Sequence, residues 1–311
     1  MSWSWSSLAF VFSCNQPPLL VIGLADYATA TYNGVFHLLA MRTIAKLATV
    51  MGNETLVARA NAALAVGQRA LDDLLWVESP GRPHYAAVQG LNATIMADSM
   101  YPQVLAFNLG LGVLVSNITR LDLHLQAVAA NNTTPHGLSA ITGGSVGSTD
   151  NYLWQMASPD WAVNQLRLHG TAAYPDAMAL PESSLNLWRE VLNDQWNVAG
   201  VAGPDGMPAI TSHYGYHMVQ WHLVPAISGQ VADLPNRSLT FAPVIGVPYQ
   251  LPVLLPGVIG RLNSRNNGDT VQYELCVNVG ELVLDHLAVN DVICPTSTSI
   301  LLRRSCVSWY M

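Results

Sequence analysis

Two long runs of apolar residues at helical spacing, one directly after the other, most constrain how this chain can fold. From Ala28 to Val50 the positions Val35, Leu38, Leu39, Arg42 and Lys46 keep a 3.6-residue rhythm over a backbone rich in alanine. From Thr55 to Leu75 the rhythm returns with Leu56, Ala60, Leu64, Leu71 and Leu75. Gly52-Asn53 separates the two runs, so they predict an antiparallel helical hairpin. A loop, Ser79-Pro80-Gly81-Arg82-Pro83, closes the pair. Further helices are predicted over Asp98 to Leu114, Arg120 to Ala130, Asp150 to about Leu168, Ser183 to Trp196 and Thr211 to Gln230. A hairpin has one apolar face to bury, and a series of hairpins buries it in an α/α toroid or a bundle. No fixed repeat is visible, which argues against a solenoid.

The pattern changes after Gly229. Leu239, Phe241, Val244, Val247, Leu251 and Val253 sit among prolines, and Val271, Tyr273, Leu275, Val277 and Val279 alternate strictly behind the turn signal Asn267-Gly268. The expected fold is therefore mainly α, a domain of helical hairpins set in a toroid or a bundle, with a small C-terminal β-element. The expected boundaries are a poorly defined segment 1–25, the helical domain 26–230, the β-rich element 231–300 and a tail 301–311.

Charged residues make up only 11% of the 311 residues, and the net charge is -7. There is no basic run and no basic-aromatic interleaving, so nucleic acid is not expected as a partner. The best apolar run, Leu251 to Gly260, is short and broken by Pro252 and Pro256, so no transmembrane segment is expected. The start, MSWSWSSLAFVFSC, has a short apolar core with no Lys or Arg before it, a weak match to a signal peptide. A misplaced start on a truncated chain fits it at least as well. Asn53, Asn92, Asn117, Asn131, Asn132 and Asn236 each open an Asn-X-Ser/Thr sequon, against about three expected by chance, which leaves the secretory pathway open without fixing a compartment. Cys276, Cys294 and Cys306 lie in one region and could pair in a secreted protein. They have no metal-ligand spacing, and free thiols are the expectation.

The residues that could carry chemistry are acids and histidines beside aromatic rings. Asp150 follows the glycine-rich stretch Thr142 to Thr149 and precedes Tyr152 and Trp154. A carboxyl beside aromatic rings can have a raised pKa and act as a general acid, although Asp after a flexible loop is also an ordinary helix cap. Asp98 in IMADSM is a second candidate. Asp160 beside Trp161, and Asp194 near Trp196, combine a carboxylate with an indole, which suits a sugar and equally suits a capped core helix. On one helix from Thr211 to Gln230, Tyr214, His217, Met218, Trp221 and Pro225 would share a face that could wall a polar ring. His213 and His217 have two-histidine metal spacing, but no Glu follows His213 and no third ligand is evident, so neither metal nor cofactor is expected.

The order of these motifs resembles the catalytic domain of family-116 glycoside hydrolases, which include non-lysosomal glucosylceramidases and β-glucosidases. Tyr32-Asn33-Gly34 opens a Leu/Ala-rich helix, Met96-Ala97-Asp98 stands where that family has Met-Ser/Ala-Asp, and Thr149-Asp150-Asn151-Tyr152-Leu153-Trp154 is similar to its Ser-Asp-Glu-Val-Trp segment. The SHYG stretch from Ser212 to Gly215 completes the order. The resemblance implies a six-hairpin toroid and retaining hydrolysis of a β-glucoside, using two carboxylates about 5 Å apart. Asp150 would be the acid/base. Asp98, Trp154, Asp160, Trp161, His213, Tyr214, His217 and Trp221 would line a pocket for a carbohydrate or glycolipid. The departures are specific. No glutamate precedes Tyr32, where the family's nucleophile would lie, and Asn151 replaces the family's Glu. A non-catalytic carbohydrate-binding toroid is the rival expectation. Another is a different toroid enzyme, a lyase or an inverting hydrolase, pairing Asp150 with Asp160 or Asp194.

Overall fold

The computed structural model describes residues 29–142, 152–154, 156–194, 196, 198–199, 201–203, 205–210, 215–295 and 299–310. They fall into two compact units. One holds the described residues of 1–107, 111–164 and 178–219; the other holds those of 108–110, 165–177 and 220–311.

The first unit begins with the hairpin. Helix α1 (Thr31–Val50) packs on α2 (Glu54–Leu75). The apolar positions read from the sequence are the buried ones: Val35, Leu38, Leu64, Leu71 and Leu75 are at most 6% exposed. Asn53 caps α2, its side chain accepting the Leu56 N–H at 3.0 Å. A Cβ on Gly34 would sit 2.9 Å from Leu71, so the helices approach where one side chain is missing. Next come β1 (Trp76–Val77), paired with β2 (His84–Tyr85), and β3 (Ile95–Met96). After β3 stand α3 (Tyr101–Asn108) and α4 (Ile118–Asn132). A short hairpin joins β4 (Thr133–Thr134) to β5 (Gly137–Leu138), and β6 (Ile141–Thr142) returns to pair with β3. Strand β7 (Leu153–Trp154) leads to α5 (Ala157–His169), whose residues from Gln165 onward belong to the second unit. Helix α6 (Tyr174–Asn186) contains Pro181 and ends in a π-helical turn, Leu187–Val191. Strands β8 (Val201–Ala202) and β9 (Pro208–Ile210) complete a three-stranded sheet with β7.

The second unit is mostly strand. After the end of a 3-10 helix, Gly215–His222, whose residues from Gln220 onward belong to this unit, come α7 (Leu223–Ser228), β10 (Val231–Asp233) and β11 (Ser238–Phe241). Gly229 closes α7 at φ 60, and a Cβ there would lie 2.1 Å from the Ala242 oxygen. A meander follows: β12 (Tyr249–Leu255), β13 (Val258–Asn267) and β14 (Thr270–Val279), antiparallel throughout. Then come β15 (Leu282–Leu284), β16 (His286–Val289), β17 (Val292–Ile293), β18 (Ile300–Leu302) and β19 (Cys306–Tyr310). The sheets β10-β11-β16-β17 and β12-β13-β14-β19 share one apolar core, with Leu239, Phe241, Leu251, Leu262, Tyr273, Leu275 and Trp309 buried in it.

The expectation of a mainly α toroid with a small β-element is therefore wrong. Two four-stranded sheets form the body of the second unit, and strand pairs are threaded between the helices of the first. The inter-helix strands have two or three residues each, too few to show a period, so they read as loops. The β-region was underestimated because prolines broke its pattern, yet Pro252 stands on β12, the edge strand of its sheet, where no N–H is needed from it. The helix expected over Asp98 to Leu114 shrinks to Tyr101–Asn108, since Asp98 to Met100 form a turn and Gly110 and Gly112 take positive φ behind it. Cys276 and Cys306 are not free thiols. They face each other across β14 and β19 and form a disulfide, while Cys294 is free and buried.

Candidate active site

In the first unit, two short elements carry two buried carboxyl groups near enough for the charge on one to be felt by the other. Asp98 sits in the turn after β3. That turn is held by the Ala97 N–H on the Ala140 oxygen at 2.9 Å and by the Tyr101 N–H on the Asp98 oxygen at 2.9 Å. Strand β3 is itself pinned by Asn132, which is fully buried at the end of α4. Its Nδ2 donates to the Ile95 oxygen (3.3 Å) and the Ser139 oxygen (3.0 Å), and its Oδ1 accepts from Thr142 (2.9 Å). Asp160 comes from the first turn of α5, whose start is tied to β5 by the Leu138 N–H on Ser158 Oγ at 3.0 Å.

Asp98 and Asp160 are each 1% exposed. Asp98 Oδ1, both Asp160 carboxylate oxygens and Asn164 Oδ1 are buried with no hydrogen-bond partner among the described residues. Asn164 stands one turn beyond Asp160 on α5, and its Nδ2 donates to the Asp160 backbone oxygen at 3.0 Å and to the Met100 oxygen at 3.5 Å. Burial pushes the Asp98 carboxyl up to about 7, against a smaller opposing hydrogen bond from its own backbone. Asp160 is raised well above the ordinary carboxylate range, by burial first and then by the charge on Asp98. Tyr101 is raised as well, by burial and then by Asp160. Burial and the neighbouring charge favour the protonated form of both carboxyls, and a carboxyl so held can serve as a proton donor.

Ser99, next to Asp98, lies 2.9 Å from His124 Nε2. The pair is not a nucleophile and its base. His124 Nδ1 accepts the Tyr85 N–H at 3.3 Å, so in the neutral ring Nε2 carries the proton and donates to Ser99. Burial, and then His84, lower the His124 pKa to about 3, which keeps the ring neutral. His124 therefore anchors the Asp98 turn.

The remaining expected site residues are dispersed. Trp154 is 7% exposed on β7, where it pairs with Val201. Trp161 is 8% exposed and donates its indole N–H to the Leu125 oxygen of α4 at 2.8 Å. In the second unit Trp221 is 62% exposed. Asp150, His213 and Tyr214 lie outside the described residues, as does the His217 side chain. The single α-helix expected from Thr211 to Gln230 is not formed. From Gly215 the backbone runs as a 3-10 helix and becomes α only at Leu223. With three residues per turn, positions four apart no longer stack, so the proposed aromatic face loses its basis there. An open cleft of about 440 Å³ lies elsewhere in the first unit, lined by His136, Glu182, Ser183 and Asn186 among others, and includes neither carboxyl. Sequence reading missed Asn164, His124 and Asn132. Asn164 had a signal, its i+4 spacing from Asp160; His124 was hidden in the apolar stripe of Leu121, Leu125 and Val128. The Glu274, Cys276 and Cys306 side chains form the one three-residue group with metal-ligand proximity among the described residues, and its two sulfurs are bonded to each other.

No family model matches the chain, and no curated protein matches it. Among solved structures, a GH127 β-L-arabinofuranosidase from Geobacillus stearothermophilus T6 is 11% identical, with 85% of this chain and 52% of that chain covered and a TM-score of 0.36. A second GH127 β-arabinofuranosidase is 10% identical, with 87% and 50% covered and a TM-score of 0.35. The chain spans about half the length of these structures. Both are enzymes of family 127, not of family 116, and at such TM-scores neither assigns a fold or a reaction to this chain. No described helix is long and apolar enough to cross a membrane.

Proposed function

We propose that this chain is the catalytic region of a glycoside hydrolase acting on β-linked glucosides. The observation that carries the reading is the cluster of buried acceptors on Asp98, Asp160 and Asn164. An unpartnered buried polar group costs roughly 1–3 kcal/mol, so these four oxygens call for a polar partner. A protonated carboxyl donates as well as accepts, and sugar hydroxyls do both, so they can meet the two carboxyls in either protonation state. The sequence resemblance supplies the finer assignment. Asp150 acts as acid/base, protonating the departing oxygen, while Asp98 and Asp160 hold the sugar. The aryl β-glucoside kcat/KM of the full-length protein tests this. Asp150→Ala should lower it about 10²-fold or more, the loss expected for a general acid. Asp160→Asn should act mainly by raising KM. Turnover within a few-fold of wild type in Asp150→Ala would remove the acid/base assignment.

A further inference from the structure

The six sequons differ in which atom of the asparagine the fold uses. N-glycosylation acts on Nδ2. The anomeric carbon of a polyprenyl-diphosphate-linked oligosaccharide bonds that nitrogen, the bond from the anomeric carbon to the diphosphate oxygen breaks, and the amide gives one proton to the departing diphosphate. Oδ1 is untouched, and one amide proton remains.

Asn53 and Asn117 are both exposed helix caps, and both cap through Oδ1. Asn53 accepts the Leu56 N–H at 3.0 Å, and Asn117 accepts the Thr119 and Arg120 N–H groups at 2.9 and 3.4 Å. The hydroxyl residues of these sequons, Thr55 and Thr119, are exposed as well. A sugar on Nδ2 therefore leaves each cap bond intact and projects from a helix N-terminus into solvent. Asn92 is exposed, but its sequon's Thr94 is 1% exposed and donates its Oγ1 to the Leu91 oxygen at 2.6 Å, so this hydroxyl is withdrawn from the surface. In the other sequons Nδ2 is already a donor, through one proton in Asn131 and Asn236 and through both in Asn132. Asn131 donates to the Ala127 oxygen at 2.6 Å, and Asn236 to Asp233 Oδ2 at 2.9 Å. Asn132 donates both amide protons in the interior, to Ile95 and Ser139. A glycan there would remove one of those protons and place a sugar inside the unit.

A second feature points to the same compartment. Structural disulfides persist where thiols are oxidised, in the secretory lumen and beyond it, and Cys276–Cys306 is one. We infer that Asn53 and Asn117 are N-glycosylation sites of a chain that matures in an oxidising lumen, and that Asn132 is a sequon left bare by the fold. The inference stands apart from the glycosidase reading, since neither the caps nor the disulfide uses the carboxyl cluster. The test is peptide mapping of the full-length protein from its natural source after peptide-N-glycosidase treatment in heavy-oxygen water, which marks each formerly glycosylated asparagine as labelled aspartate. The expected result is label at Asn53 and Asn117 and none at Asn132. Label at Asn132, or a missing label at either of the two, would overturn it.

Discussion

Replacing Asp98 with asparagine should make the protein more stable at alkaline pH than at acid pH relative to wild type, because the wild-type carboxyl opposes folding once it is asked to ionise. Asp98 is 1% exposed, and burial raises it from the ordinary 3.8 to about 7. Below pH 4 the carboxyl is protonated in both folded and unfolded chains, and stability is complete. Between pH 4 and 7 the unfolded chain loses the proton and the folded chain keeps it, so unfolding releases a proton and stability falls as pH rises. Above about pH 7 the loss levels off near 4 kcal/mol, at about 1.4 kcal/mol per pKa unit. Asparagine has nearly the same shape and no charge to desolvate. Asp98→Asn should therefore match wild type near pH 4 to within the cost of its altered hydrogen bonding, and gain on it steadily up to pH 8. At about 2–4 °C per kcal/mol, the Tm difference between variant and wild type should widen by on the order of 10 °C over that range. Asp160 retains its own slope in the variant, so the variant's stability still falls with pH, but less steeply. Thermal melts of both proteins at pH 4, 6 and 8 measure this. A Tm difference that stays the same at all three would mean that Asp98 does not ionise from a buried site, and the carboxyl cluster would lose its physical basis.

Two further outcomes follow from the packing. Asn132→Ala removes three buried hydrogen bonds around β3 and leaves their partners unsatisfied, so urea unfolding should show a loss of about 3 kcal/mol or more; a change under about 0.5 kcal/mol would mean the asparagine does not hold the strand. Cys276 and Cys306 are 30 residues apart in sequence, so reducing their disulfide should cost about 3–4 kcal/mol of stability, and melts with and without a dithiol should separate clearly, whereas identical melts would mean the bridge constrains nothing.

What the sequence disclosed follows from the length of each signal. Helices α1 and α2 run for 20 and 22 residues with an apolar stripe and a break between them, so their existence and buried faces were legible. The alternation from Val271 to Val279 was equally plain, and it is β14. The pairs β1–β2, β3–β6 and β4–β5 were not legible, because two residues carry no period and their partners are chosen by tertiary contacts. The stretch before Gly229 misled for another reason. Its composition suits a helix face, but the backbone winds at three residues per turn and changes to α within the stretch. Asp98 and Asp160 were each recognised from their neighbours. Their nearness was not, since it depends on how β3 and α5 are pinned by Asn132 and Ser158, which no spacing in the chain encodes.

The proposed activity is cleavage of β-glucosidic bonds. Proton NMR of the full-length protein acting on an aryl β-glucoside reports both turnover and the configuration of the first sugar released. Glucose should appear as the β-anomer and then mutarotate slowly. No release of sugar would contradict the proposed activity, and the α-anomer appearing first would contradict retaining chemistry with Asp150 as acid/base.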